Sequence, residues 1–159
     1  IFGNNKACAG PATAEEGVRA RLSITTDIVH GQGYWSPGLR VGQDGGWGVR
    51  YARLSRPMWA REIPQNVDLG SKWQIESAGL LEVDREFCGE RWCGGLGVAH
   101  INRVTPMNGT FWNFGLHARY AIDKDWSIVF DHYSHGSALG IAQDKSNRGF
   151  NLLGVSYGF

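Results

Sequence analysis

Apolar side chains recur at every second position along most of the chain, and helix-period patterns are scarce. From Val18 to Ile28 one parity reads Val18, Ala20, Leu22, Ile24, Thr26, Ile28, and the other Arg19, Arg21, Ser23, Thr25, Asp27. Successive side chains of a strand point to opposite faces, so this segment is a two-faced strand. The same period predicts strands at Tyr34–Gly42, Gly46–Arg56, Lys72–Val83, Arg91–Arg103, Thr110–Ile122, Asp125–Ser134 and Gly149–Phe159. Trp47, Val49 and Tyr51 share one face, as do Trp112, Phe114, Leu116, Ala118 and Tyr120. Many of these eight segments run to about ten residues, whereas strands of soluble domains average about five or six. Strands of about 9–11 residues with one apolar and one polar face suit a closed membrane barrel, apolar side outward.

The connections follow the same scheme. Gln43-Asp44-Gly45, Phe87–Glu90 and Asp123-Lys124 read as short turns on one rim, and Pro57–Gly70 and His135–Arg148 as long loops on the other. Short turns on one side and long loops on the other mark outer-membrane barrels. The fold class expected is therefore all-β, an eight-stranded antiparallel transmembrane barrel over 18–159, preceded by a periplasmic extension over 1–17. The N-terminal Ile1-Phe2-Gly3 run has no signal-peptide pattern and is compatible with a processed chain.

Composition sharpens this picture. Glycine accounts for 23 of 159 residues, about twice the usual share, with only 5 Pro. Aromatics make up 12% and charged residues 19%. A mean hydropathy of −0.29 and the shortness of every apolar run exclude a membrane-crossing helix but not a barrel, whose two faces average out. An eight-stranded barrel is narrow, and a glycine-rich inner face suits it. The net charge of +1 gives no footprint for nucleic acid. Of the three cysteines, Cys88 and Cys93 flank a turn and suit a disulfide in an oxidising compartment; three unrelated thiols are the alternative, and Cys8 has no assigned role. No cluster has metal-ligand spacing, and no cofactor is expected. His100 and His117, within strands, are read as satisfied interior histidines.

Candidate chemistry sits in Trp126-Ser127-Ile128-Val129-Phe130-Asp131-His132-Tyr133-Ser134. Alternation puts His132 and Ser134 on the face of Trp126, Ile128 and Phe130, the lipid side of a barrel. Residues i and i+2 are about 6.5–7 Å apart, so an imidazole can reach the hydroxyl and take its proton during attack on an ester. A polar pair where an apolar band meets headgroups is the alternative.

The run His132-Tyr133-Ser134, followed by Asn147-Arg148-Gly149-Phe150-Asn151 and an aromatic-ended last strand, resembles the lipid A 3-O-deacylase family of Gram-negative outer membranes. The specific matching covers roughly Asp125 to Phe159. The resemblance implies an eight-stranded barrel with its active site on the lipid-facing surface, hydrolysing the ester-linked acyl chain at position 3 of lipid A. It implies Ser134 as nucleophile, His132 as base and Asn151 in the place of the family's acid. His135 stands where the family has an oxyanion-hole Asn, with Gly136 or Ser137 supplying an N–H. Asp144 is a substitute acid, and Asp131 falls on the wrong face by parity. Lipopolysaccharide and outer-membrane lipids are the partners implied, a homodimer is among the assemblies allowed, and the bacterial outer membrane is the location. Two further readings remain open: a non-catalytic barrel of the same descent acting as a structural or complex-forming subunit, and a soluble lipocalin-like cup with its apolar face inward.

Overall fold

A computed structural model describes residues 17–28, 35–55, 77–104, 110–135 and 149–159. Its strands are β1 (Val18–Asp27), β2 (Trp35–Gln43), β3 (Trp47–Ser55), β4 (Ser77–Cys88), β5 (Trp92–Ile101), β6 (Trp112–Ala121), β7 (Trp126–Ser134) and β8 (Phe150–Gly158). Each pairs antiparallel with its chain neighbours, and β1 pairs with β8, so the sheet closes into an eight-stranded barrel. Seven of the eight strands lie within about two residues of their expected bounds. β4 is displaced: Lys72–Val83 was the expected span, and the strand instead runs on through Asp84-Arg85-Glu86-Phe87. That charged stretch lay outside the expected strand, and Phe87 within the expected turn Phe87–Glu90, yet it alternates like the rest, with Asp84 and Glu86 buried and Arg85 and Phe87 exposed. The hairpin closes beyond it on a Cys88–Cys93 disulfide. Of the expected extension over 1–17, residues 1–16 lie outside the described residues, and so does Cys8.

The two faces of the sheet have opposite chemistry. Leu22, Ile24, Val41, Val49, Leu81, Val83, Leu96, Val98, Leu116, Ile128 and Val155 all point outward and are exposed. An aromatic ring follows the short-turn rim: Trp47, Phe87, Trp92, Tyr120, Trp126 and Tyr157. Neighbouring members touch, Trp92 on Tyr120 at 4.7 Å and Trp126 on Tyr157 at 5.1 Å between centroids. The short turns are fixed locally. At the β6–β7 turn the Asp123 carboxylate accepts the Trp126 N–H at 2.7 Å and the Asp125 N–H at 2.9 Å, and these two bonds hold it below the ordinary aspartate value.

Inside lie two layers. Toward the long-loop rim an apolar plug gathers Leu54, Leu80, Ile101, Tyr133, Phe150 and Leu152. Below it Arg40 grips Asp84 through Nε and Nη2, while Arg50 Nη1 meets Asp131 at 2.5 Å. Glu82 accepts from His117 Nε2 at 2.7 Å and from the Tyr133 hydroxyl at 3.0 Å. Buried charges persist only when paired and hydrogen-bonded, and these are. Glycine makes the space: a Cβ on Gly97 or Gly115 would collide with Glu82 Oε1. His117 is thus a satisfied interior histidine. His100 differs from expectation. It shares parity with Leu96 and Val98, faces outward, and rests on Phe111 and Trp112.

Candidate active site on the outer barrel wall

His132 and Ser134 project from the last turns of β7 near the long-loop rim. Both are half-buried on the outward face, in line with Trp126, Ile128 and Phe130. Inward alternation sends Asp131 and Tyr133 into the lumen, where both are tied into the ionic and apolar layers. The His132–Ser134 pair therefore stands on a stretch of strand anchored residue by residue from behind. A site built on a strand with an anchored backbone holds its geometry better than one on a loop.

Register supplies the third member. β7 and β8 pair His132 with Asn151, and the Asn151 side chain lies on the same outward face. His132 Nδ1 is 2.9 Å from Asn151 Oδ1. A carbonyl oxygen only accepts, so Nδ1 donates and Nε2 keeps its lone pair, the tautomer that a general base requires. On the other side Leu116 lies opposite His132 and Phe114 opposite Ser134. The polar trio thus sits in an apolar frame.

Gly149 locks this arrangement. It has φ +66°, the left-handed region that favours glycine. A Cβ there would lie 2.6 Å from the Tyr133 carbonyl oxygen, 2.9 Å from His132 Cε1 and 3.3 Å from Ser134 Cβ. The loop backbone is pressed against both members of the dyad. If the pair hydrolyses esters as the sequence leads one to expect, Gly149→Ala should push it out of line and lower kcat by about 10²-fold, the scale of a roughly 1 Å misplacement. Initial-rate kinetics on a small ester check this; unchanged kcat would refute it.

The alternation continues to His135, which is 6% exposed and whose two ring nitrogens have no hydrogen-bond partner among the described residues. Gly136, Ser137 and Asp144 lie outside the described residues. Asp131 is on the lumen side, as its parity requires. Sequence reasoning missed Asp27: at the end of β1 its Oδ2 accepts the Asn151 amide N–H at 3.3 Å. The signal was present in the parity of β1, but only barrel closure brings that end of the strand to β8.

Among the described residues two groups bring potential metal-ligand atoms close together, Glu86 with Cys88 and Cys93, and Glu82 with Asp84 and His117. The cysteines are joined in the disulfide, and the second group is engaged by Arg40, Tyr133 and Asp131. No known family model matches the chain, and neither does any curated protein or solved structure.

Proposed function

We propose that this chain is an outer-membrane serine esterase that removes the 3-O-linked acyl chain of lipid A. One observation carries the reading. A largely apolar outward face is interrupted beside the long-loop rim by His132, Ser134 and Asn151, with His132 already held by Asn151 in the tautomer of a base. Three further observations support the setting. The outer wall is apolar and the lumen charged, the inverse of a soluble cup that carries a ligand inside. Strands of nine to twelve residues and an aromatic ring at one rim match the dimensions and girdles of membrane barrels. The Cys88–Cys93 disulfide fits an oxidising compartment.

In this reading the ester reaches the site from the lipid phase, its chain lying along the apolar frame of Phe114 and Leu116. His132 Nε2 takes the proton of Ser134 as its oxygen attacks the carbonyl carbon. The C–O bond to the sugar breaks, and the same proton passes to the leaving oxygen. Water then hydrolyses the acyl-enzyme by the reverse proton path. The choice of lipid A and of position 3 rests on the resemblance of the Asp125–Phe159 region.

The test places the protein in bilayers containing lipopolysaccharide. The expected result is release of one fatty acid per lipid A, together with tryptophan quenching by brominated lipids. Tryptophans that stay unquenched in a protein soluble without detergent would overturn the membrane reading. A second reading keeps the barrel without the reaction, as a structural or complex-forming subunit. The neutral Asn151 and the buried His135 favour it, and lipid A that keeps its full acyl set would select it.

A further inference from the structure

We propose that the ionic layer inside the barrel binds one small monovalent anion of the chloride class. A cavity in that layer is lined by Arg21, Arg50, Arg119, Ser23 and Ser156, among others, and has room for about one water-sized guest. Ser23 and Ser156 are partners in the β1–β8 register, so two serines stand side by side on its wall. Ser156 is 3% exposed, and its Oγ has no hydrogen-bond partner. The buried Nε of Arg119 has none either, although Nη2 of the same side chain is engaged by Asp44, Glu86 and Cys93. Arg50 meets Asp131 through Nη1, while its Nε stands 3.7 Å from Glu82 and 3.8 Å from Asp84, too far to hydrogen-bond. Arg21 is taken up by Asp44 and Glu86. Buried polar atoms are as a rule satisfied, so three such atoms on residues that line one cavity point to a guest that accepts hydrogen bonds.

The charge of the layer favours an anion over water. His117 has a carboxylate on each ring nitrogen, Asp131 on Nδ1 at 2.8 Å and Glu82 on Nε2 at 2.7 Å. An ionised carboxylate only accepts, so His117 donates from both nitrogens and is a cation. With Arg21, Arg40, Arg50 and Arg119 it makes five positive groups. The buried acids they meet are Glu82, Asp84, Glu86 and Asp131, which leaves one positive charge in excess. The rim does not change that balance, because Asp44 pairs with Arg19 at 3.7 Å and Asp125 with Lys124 at 3.8 Å. An uncompensated buried charge is costly, and a counter-ion inside the cavity removes the cost. A phosphate or a carboxylate is several atoms across and exceeds the space, whereas a single halide fits it.

The test titrates the refolded barrel in detergent with sodium chloride against sodium gluconate, whose anion is too large for the cavity, at constant ionic strength. The readout is the urea midpoint. The expected result is a midpoint that rises with chloride and saturates, and that stays flat in gluconate. Crystals grown in bromide are expected to show an anomalous peak between Ser156 and Arg119. Ser156→Ala removes one donor without changing the charge, and should weaken the apparent chloride affinity about tenfold, the scale of one hydrogen bond to an ion. Arg119→Gln removes the excess charge and should abolish the saturable response. If the Arg119 variant does not fold, Ser156→Ala decides by itself. Equal midpoints in the two salts, no bromide peak in the cavity, or wild-type chloride affinity in Ser156→Ala overturns the proposal and leaves the cavity to water. None of these readouts depends on the esterase reading, so the two fail separately.

Discussion

Ser134→Ala is expected to abolish acyl release and fluorophosphonate labelling while leaving the barrel folded. The two halves of this expectation come from different faces of one strand. Ser134 is on the outward wall, opposite Phe114, and contributes nothing to the lumen. Its replacement puts a methyl group where the surroundings are already apolar, so the fold has no reason to change. The reaction, in contrast, loses its attacking atom. Removing a triad serine leaves only the catalysis that binding and oxyanion contacts provide, a loss of at least about 10³-fold. The measurement is fatty-acid release from lipopolysaccharide, beside the gel-mobility shift between folded and heated barrel. Equal release by the variant would mean that the His132–Ser134 pair is a polar border between apolar band and headgroups and nothing more. Loss of the folded band would mean that the outward placement of Ser134 is wrong.

The barrel and the outer face of the site were legible because both depend on local alternation. Val18–Ile28 and Trp126–Ser134 declare their faces without reference to any partner strand. Parity alone put His132, Ser134 and Asn151 on one side, and register then joined the first and third. What was not legible is long-range. Arg40 and Asp84 are 44 positions apart, and His117 and Glu82 are 35 apart. No local pattern distinguishes a charge that will be buried against a distant partner from one that faces water. For that reason the expected strand stopped at Val83 and left Asp84-Arg85-Glu86 out of β4. The contact between Asp27 and Asn151 was hidden for the same reason, since only the closure of β1 on β8 brings the two together. His100 was misplaced by assigning histidine to the interior by type, when its parity with Val98 already put it outside.

Glu82→Ala is expected to be the most destabilising single change in the lumen. Glu82 is 1% exposed and is the shared acceptor of His117 Nε2 and the Tyr133 hydroxyl, with Arg50 Nε at 3.7 Å. Truncation leaves His117 Nε2 and the Tyr133 hydroxyl without their shared acceptor and Arg50 short of a counter-charge. Breaking a buried charged network from one side costs about 3–5 kcal/mol, well above the cost of most surface changes. Glycine at 97 and 115 shows how closely the surrounding wall is fitted to this one carboxylate, since a methyl group at either position would occupy its oxygen. Glu82→Gln keeps the volume and one acceptor, so it should lose less. The check is the urea midpoint of the refolded barrel in detergent, read by the same gel-mobility shift. A midpoint for Glu82→Ala equal to wild type would remove the ionic layer from the account of stability. The site should report the change as well. Tyr133 is the residue between His132 and Ser134, and its hydroxyl is tied to Glu82. Under conditions where Glu82→Ala is still folded, its kcat should fall before its KM moves, because the strand that carries the dyad has lost its anchor.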